Sequence, residues 1–381
     1  MTTTATARPI QGSVADPVLH LAFELGQTRW KLGFTTGLGQ RPRERTIAAR
    51  DLAALEREIS RAKVRFGLPS GAVVVSCYEA GRDGFWLHRY LVSRGVVNHV
   101  VDSASIEVNR RRRRAKSDRL DVGGLLRQLV RQRAGERKVW SVVHVPSEVA
   151  EDGRQLHREL LTLKRDRARV TNRIKGLLAT QGVVVEVAGD FRAQLEQVRR
   201  WNGGGLLPGL RARVDREWAK VELLSGQIQV LEAERRAALR RVADPSVRQV
   251  RQLLALRGIG ENSAWLYVME FFGWRGLRNR RQVGGLAGLT PTPYQSGESS
   301  REQGIAKAGN RYVRAMAIEI AWGWLRFQPQ SELSQWYAAR FGQGSSRIRR
   351  IGIVALARRL LVELWRYLET GAVPAGAELK A

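Results

Sequence analysis

The stretch Val18-Leu-His-Leu-Ala-Phe-Glu-Leu-Gly26, followed by Trp30-Lys-Leu-Gly-Phe34, decides the fold of the first part of the chain. Two short apolar runs rich in strand-forming residues are separated by a few residues that include a glycine, which predicts a β-hairpin. Outward from it, Leu52, Leu55, Ile59, Ala62 and Phe66 recur at helical spacing over residues 51–66, and residues 71–77 form a β-branched run of the buried-strand kind. Residues 84–94 then predict a helix, residues 96–101 a strand, and residues 118–131 a helix, with a last strand near Trp140. Strands with helices between them predict a mixed α/β domain over residues 17–145.

The pattern changes at Pro146. Leu156, Leu160, Leu163, Val170, Ile174 and Leu177 follow a heptad-like spacing in which Arg167 stands at the one register position without an apolar residue. A Gly203-Gly-Gly break and Pro208-Gly209 precede a second periodic stretch through Val214, Trp218, Val221, Leu224, Ile228 and Leu231. The two predict an antiparallel coiled coil within residues 146–245, with pairing between protomers equally allowed. After Asp244-Pro-Ser, residues 246–370 are expected to be mainly helical, with a tail over 371–381. Within them, the Gly258-Ile-Gly260 turn has the pattern of a helix-hairpin-helix, whose amides can meet a phosphate; an ordinary turn between two helices fits the same residues.

The chain has 381 residues, enough for two or three domains, and 43% hydrophobic content, enough for real cores. Its 65 Lys and Arg against 36 Asp and Glu leave a formal charge of +29, which points to a polyanionic partner, nucleic acid first. No apolar run approaches the roughly 18 residues that span a bilayer. Residues 1–16 are Thr- and Ala-rich, without a basic start or an apolar stretch, and predict a flexible N-terminus rather than a leader. One cysteine, Cys77, allows no internal disulfide, and five scattered histidines show no zinc spacing. A metal would sit on carboxylate oxygens, which favour Mg2+ or Mn2+.

Four acids stand where such chemistry can use them. Glu24 ends the first strand, Glu79 follows the Val73-Val-Val-Ser-Cys-Tyr strand, and Asp118 and Asp121 share one face of a helix start. Clustered carboxylates repel until divalent cations bind between them, and two such ions support phosphoryl transfer. Taken singly, the same residues also fit strand-end surface charges and helix-start charges that complement the macrodipole. The run Arg110, Arg111, Arg112, Arg113, Arg114, then Lys116, would lay a phosphate backbone beside them.

Further on, Gly288-Leu-Thr-Pro-Thr-Pro-Tyr-Gln-Ser296-Gly297 predicts a loop, and Lys307, Asn310, Arg311 and Arg314 make its exit basic. Ser296, with Ser299 and Ser300 close by, can be a turn former, a phosphate binder or a nucleophile. A serine is a weak nucleophile without an activating base or metal.

Taken together and in order, these residues resemble the insertion-sequence 110/1111 transposases. The carriers are the Glu24 strand, Glu79, Lys116-Ser-Asp118-Arg-Leu-Asp121, Val145-Pro-Ser-Glu, Glu151-Asp152, Asn172-Arg-Ile-Lys-Gly-Leu-Leu, the Gly258 turn, Ser296-Gly and Gly304-Ile-Ala-Lys-Ala-Gly-Asn-Arg. The resemblance spans nearly the whole chain. It implies an RNase H-like (RuvC-like) Asp-Glu-Asp-Asp domain, a coiled-coil middle and a helical serine-bearing domain. It also implies Mg2+ on Glu24, Glu79, Asp118 and Asp121, and Ser296 as the nucleophile that links transiently to DNA. Further implied are a structured non-coding bridge RNA that pairs with donor and target DNA, a dimer or tetramer, and a cytoplasmic, nucleoid-associated bacterial location. The alternatives are a junction resolvase or nuclease without serine chemistry, and a decayed RNA- or DNA-binding protein. The family usually has aspartate where this chain has Glu24, one methylene longer.

Overall fold

The computed structural model describes residues 17–106, 118–136, 139–241, 244–296 and 299–380, with the side chains of 118–120, 296 and 299–302 left out of that description. The expected flexible residues 1–16, the arginine run 110–114 and Lys116 lie outside the described residues. Two compact units divide the chain, Met1–Val145 and Pro146–Ala381.

The first unit is built on a five-stranded sheet in the order β3-β2-β1-β4-β5. Strands β1 (Val18–Leu25), β2 (Arg29–Thr35) and β3 (Arg43–Ala48) form an antiparallel meander. Strands β4 (Val73–Glu79) and β5 (Val97–Val101) continue parallel to β1. Helices α1 (Leu52–Arg65) and α2 (Trp86–Ser93) are the crossovers; Leu55, Ala62, Leu87 and Leu91 join Leu19, Leu21, Phe23 and Tyr78 in one core. Right-handed parallel connections place both crossover helices on that face. Helix α3 (Asp118–Arg133) covers the other, packing Val122, Leu125, Leu126 and Leu129 against Ala22, Val75 and Cys77.

Two details differ from the sequence expectations. The polar run of β3, Arg-Glu-Arg-Thr-Ile-Ala, pairs with β2 although it carries little apolar signal; besides the backbone pairing, its single large apolar residue, Ile47, is buried in the core, and Arg43 pairs with Glu58 of α1. The segment near Trp140 is not a strand; it makes one isolated bridge, Val101 to Val142, and Trp140 is buried among the residues of the α3 core.

Among the described residues the second unit is helical apart from one hairpin and an isolated bridge. After α4 (Glu148–Asp152), the long helices α5 (Gln155–Ala179) and α7 (Pro208–Ala238) pack along each other, with α6 (Phe191–Gln197) between them in sequence. They run antiparallel, as Lys164 meets Glu232 and Arg173 meets Glu217. Their core holds Val170, Ile174 and Leu178 against Val214, Trp218 and Val221.

A larger core gathers α8 (Pro245–Ala255), α9 (Glu261–Tyr267), α10 (Arg280–Leu286), α11 (Arg311–Phe327), α12 (Glu332–Phe341) and α13 (Ser346–Thr370). Helix α9 runs on into a π-helical turn, Val268–Phe272. The C-terminal segment is tied down: Leu379 bridges Leu256, and Glu378 accepts from the Arg257 amide. Among the described residues no helix is long and apolar enough to cross a membrane.

Candidate active site

The register of the first unit sets where its acids stand. Parallel pairing of β1 and β4 runs up to Phe23 opposite Tyr78, so Glu24 and Glu79 occupy the next rung. Side chains alternate between the faces of a sheet. Phe23 and Tyr78 belong to the α1 and α2 side, while Ala22 and Cys77 lie beneath α3. Glu24 and Glu79 therefore return to the α3 face, at the carboxyl ends of neighbouring parallel strands. Glu24 is half-buried and Glu79 exposed.

The direction of α3 follows from its contacts. A Cβ on Gly33 would lie 2.4 Å from Val122 Cγ1, which puts the start of the helix over the Gly33 and Ala22 pair. Arg133, at its other end, lies close enough to His20 and His99 for its charge to add to the burial that lowers their pKa values. So α3 runs from the Glu24 end of the sheet toward the His20 end, and its first turn, with Asp118 and Asp121, lies toward Glu24 and Glu79. The positive end of the helix dipole faces the same region and favours anions there. The Asp118 side chain lies outside the described residues, and among those described no three His, Cys, Asp or Glu side chains gather as a metal-holding group. Cys77 is fully buried and burial pushes its thiol pKa up, so it is no competing nucleophile.

Sequence reasoning passed over Gly33, although a glycine inside a strand is the signal for a close backbone approach. Any side chain there would hold α3 off the sheet.

In the second unit the predicted loop is an antiparallel hairpin, β6 (Pro291–Ser296) and β7 (Ser299–Ile305). Pro291 and Pro293 lack an amide hydrogen, which a two-stranded ribbon tolerates because each strand has one free edge. Ser296 pairs with Ser299 on the last rung, and Gln295 with Ser300, so all three candidate serines stand at the tip of the hairpin. Gly297 and Glu298 lie outside the described residues.

The base of the hairpin explains the motif that follows it. Gly288 and Gly309 adopt φ of +69° and +79°, and Cβ atoms there would fall 2.0 Å from the Ala308 carbonyl oxygen and 1.9 Å from that of Leu286. The two segments cross backbone on backbone, and only glycine fits. Asn310 caps α11, accepting from the amides of Tyr312 at 2.9 Å and Val313 at 3.3 Å. The Arg314 guanidinium donates to the carbonyls of Ala287 and Ala308. Asn310 and Arg314 thus also serve the fold and are partly exposed, whereas Lys307 and Arg311 are exposed, with Arg311 lying over the Tyr312 ring.

At the other predicted phosphate contact, Gly258 has φ +87° and the Gly260 amide donates to Ser263 Oγ. The Ile259 amide is also engaged, by the Leu256 carbonyl, and the Lys380 ammonium donates to the Ile259 carbonyl. The turn is closed on itself and strapped by the C-terminal segment.

Comparison with known proteins defines the class first: residues 250–335, from α8 to the start of α12, match the family model described as "Transposase IS116/IS110/IS902 family". A Sinorhizobium fredii protein named "Putative transposase y4rJ" is 41% identical over 377 residues, covering 95% of this chain and 94% of that one. A second S. fredii protein, "Putative transposase y4qE", is 30% identical over 291 residues, covering 75% and 66%. The "Transposase for insertion sequence element IS1328" of Yersinia enterocolitica is 27% identical over 220 residues, covering 57% and 63%. The chain belongs to the IS116/IS110/IS902 family of transposases. DNA is accordingly its substrate, and cutting and rejoining DNA its class of activity.

Proposed function

We propose that this transposase mobilises an insertion sequence using a two-metal carboxylate site of Glu24, Glu79, Asp118 and Asp121 and, as nucleophile, Ser296. The observation that carries the reading is the placement of Glu24 and Glu79 on one rung of neighbouring parallel strands, on the face covered by α3. The strand order β3-β2-β1-β4-β5, with an antiparallel meander beside parallel strands, supports an RNase H-like scaffold for them.

The donor set suits a hard divalent cation, because all four side chains offer only carboxylate oxygens, and Glu24 and Glu79 stand side by side at strand ends. These four residues would hold Mg2+, with Mn2+ as a substitute, and the ions would supply charge stabilisation to the phosphate under attack. The extra methylene of Glu24 lets its carboxylate reach further from β1 than an aspartate would.

Ser296, at the hairpin tip, brings its hydroxyl to the DNA backbone. Its Oγ forms a bond to phosphorus as a backbone phosphorus–oxygen bond breaks, which releases a sugar hydroxyl and retains the phosphodiester energy in a protein–DNA link. Attack by a hydroxyl of the second DNA restores the serine and completes the exchange. The exposed Lys307 and Arg311, together with Arg110, Arg111, Arg112, Arg113, Arg114 and Lys116, hold phosphates through charge. With +29 spread over 381 residues, the protein grips backbones, and base pairing to a structured guide RNA from the element selects donor and target. A dimer or tetramer lets the serine of one protomer meet the carboxylates of another.

The test is a strand-exchange assay on element-end DNA with the co-purifying RNA and Mg2+. Ser296→Ala should abolish exchange and the trapped covalent adduct, and Asp121→Asn should abolish both as well. Hydrolytic cleavage that survives Ser296→Ala would replace the serine mechanism with a junction nuclease. Salt-sensitive binding without cleavage under any divalent metal would leave a nucleic-acid-binding protein.

A further inference from the structure

The heptad pattern of α5 breaks at one position, and the structure opens a cavity at that position. Arg167 stands where the periodicity asks for an apolar residue, and between Leu160 and Val170 no residue of α5 is fully buried. On α7 the buried face is likewise interrupted between Val221 and Ile228, where Ser225 and Gly226 stand. The antiparallel pairing brings these two gaps opposite each other, bracketed by the Lys164–Glu232 pair at 2.7 Å and the Arg173–Glu217 pair at 2.8 Å. The result is a cavity of about 690 Å³. That lies within the range of roughly 300–1,000 Å³ typical of small-molecule sites.

Its lining has two characters. Trp218 and Val221 supply an apolar floor, and the Phe191 ring sits 4.9 Å from that of Trp218 and holds it in place. Trp218 is 5% exposed, and its Nε1 is buried with no hydrogen-bond partner among the described residues. Around the floor stand Arg167, Asn172 and Ser225, whose side chains make no hydrogen bond or ion pair among the described residues. One carboxylate, Glu222, lines the cavity as well and is 3.7 Å from Arg192. Helix–helix packing would normally fill such a gap with leucine. Here the chain has placed a cation, an amide, a hydroxyl and a glycine around an indole.

We infer that this cavity between α5 and α7 is a binding site for one unpaired nucleotide of a single-stranded nucleic acid. The base would rest against the Trp218 and Val221 floor, Asn172 and Ser225 would hydrogen-bond its edge or sugar, and Arg167 would take the phosphate. The choice of ligand follows from the pairing of an apolar floor with donors and a free cation in a chain of net charge +29. Base-on-aromatic contact with a basic rim is the general solution for single strands. A duplex cannot enter, because its bases are stacked and paired. Asn172 and Arg173 open the Asn-Arg-Ile-Lys stretch, and the site gives Asn172 a role separate from that of Ile174, which is in the core.

The inference uses the family's handling of nucleic acid but neither the carboxylates nor Ser296, so it fails or stands apart from the mechanism proposed above. Two variants of the full-length protein test it. Gly226→Met fills the cavity: a Cβ on Gly226 meets no atom within 4 Å, and replacing a mid-helix glycine does not disfavour the helix. Arg167→Leu restores the apolar register and removes the cation. The affinities of labelled oligouridylate, oligothymidylate and a duplex are measured against salt concentration, with a thiouridine-containing strand photo-crosslinked and mapped to peptides.

Gly226→Met is expected to weaken single-strand binding about tenfold while leaving duplex binding unchanged. Arg167→Leu is expected to lower the salt slope for single strands by about 0.7, the share of one phosphate. Crosslinks should fall on the α5 or α7 peptides and vanish in Gly226→Met. A preference of the wild type for uridylate over thymidylate assigns the site to RNA, and the reverse to DNA. Unchanged single-strand affinity in both variants overturns the inference, as does an equal loss for duplex and single strand. A change of sedimentation in Gly226→Met with oligonucleotide binding intact also overturns it, and makes a second copy of the chain the occupant.

Discussion

Arg158 donates two parallel hydrogen bonds to Glu270, from Nε to Oε1 at 2.6 Å and from Nη2 to Oε2 at 2.9 Å, and so ties α5 to the π-helical turn after α9. Burial alone would raise the Glu270 pKa, but the Arg158 hydrogen bonds and the charges of Arg158 and Arg154 outweigh it and hold the carboxyl below its usual range. Glu270 is 5% exposed while the Arg158 side chain is half in solvent. Glu270→Gln should therefore cost about 2 kcal/mol, below the 3–5 kcal/mol of breaking a fully buried pair. Chemical denaturation of the two proteins measures it; a loss under about 0.5 kcal/mol, the size of an exposed pair, would refute the assignment.

His157 lies beside that pair, 1% exposed, with neither ring nitrogen hydrogen-bonded among the described residues. Burial lowers its pKa from 6.5 to about 4, opposed by the Glu270 charge and reinforced by Arg235 and Arg158. The unfolded chain then binds a proton between pH 6.5 and about 4 that the folded chain rejects. Stability is present in full above pH 6.5 and falls on acidification, by up to about 1.4 kcal/mol per pH unit. The depressed Glu270 carboxyl adds a loss in the same direction lower in pH. Melting temperature should drop from pH 6.5 to 5, and His157→Leu should flatten that part of the curve. Identical slopes for the two proteins would show that His157 is not the titrating group.

Gly309→Ala places a Cβ 1.9 Å from the Leu286 carbonyl oxygen at a φ of +79°. Strain of a non-glycine residue at positive φ costs about 1–3 kcal/mol, and the backbone clash adds to it. Asn310→Ala, which removes only the α11 cap, should cost about 1 kcal/mol. The expected order, Gly309→Ala well below Asn310→Ala below wild type in melting temperature, would be reversed if the hairpin base were not a backbone crossing.

Divalent metal should stabilise the native protein, because a ligand that binds the folded state alone raises stability by mass action, about 2.7 kcal/mol at a hundredfold excess over its dissociation constant. Mg2+ is expected to raise the melting temperature of the wild type and to leave those of Glu24→Gln and Asp121→Asn where they stand without metal. An equal rise in all three would remove the carboxylates from the proposed metal site.

Much of the architecture was legible because its signals are periodic. The runs 18–25 and 30–34 are largely apolar, as strands covered on both faces are, and Leu160, Val170 and Ile174 repeat as a packed helix must. The β3 strand was not legible, since Arg-Glu-Arg-Thr-Ile-Ala shows no apolar alternation and is held by its pairing with β2. The hairpin bearing Ser296 was hidden in the same way: Pro291, Thr292 and Pro293 read as loop, and only the cross-strand partner turns them into a strand.

By itself the sequence determined the chemistry available: carboxylates at strand ends and a helix start, a serine before a glycine, a large basic excess, and a cation at an apolar heptad position. Residue type and periodicity are local properties, and a sequence carries them directly. Tertiary structure alone decided that Glu24 and Glu79 share a rung beneath α3, that Asn310 caps α11 and Arg314 braces the hairpin base while Lys307 and Arg311 are exposed, and that Arg167 overlooks a cavity. Each of these depends on which segment lies across from which, a relation set by register and helix packing between residues far apart in the chain.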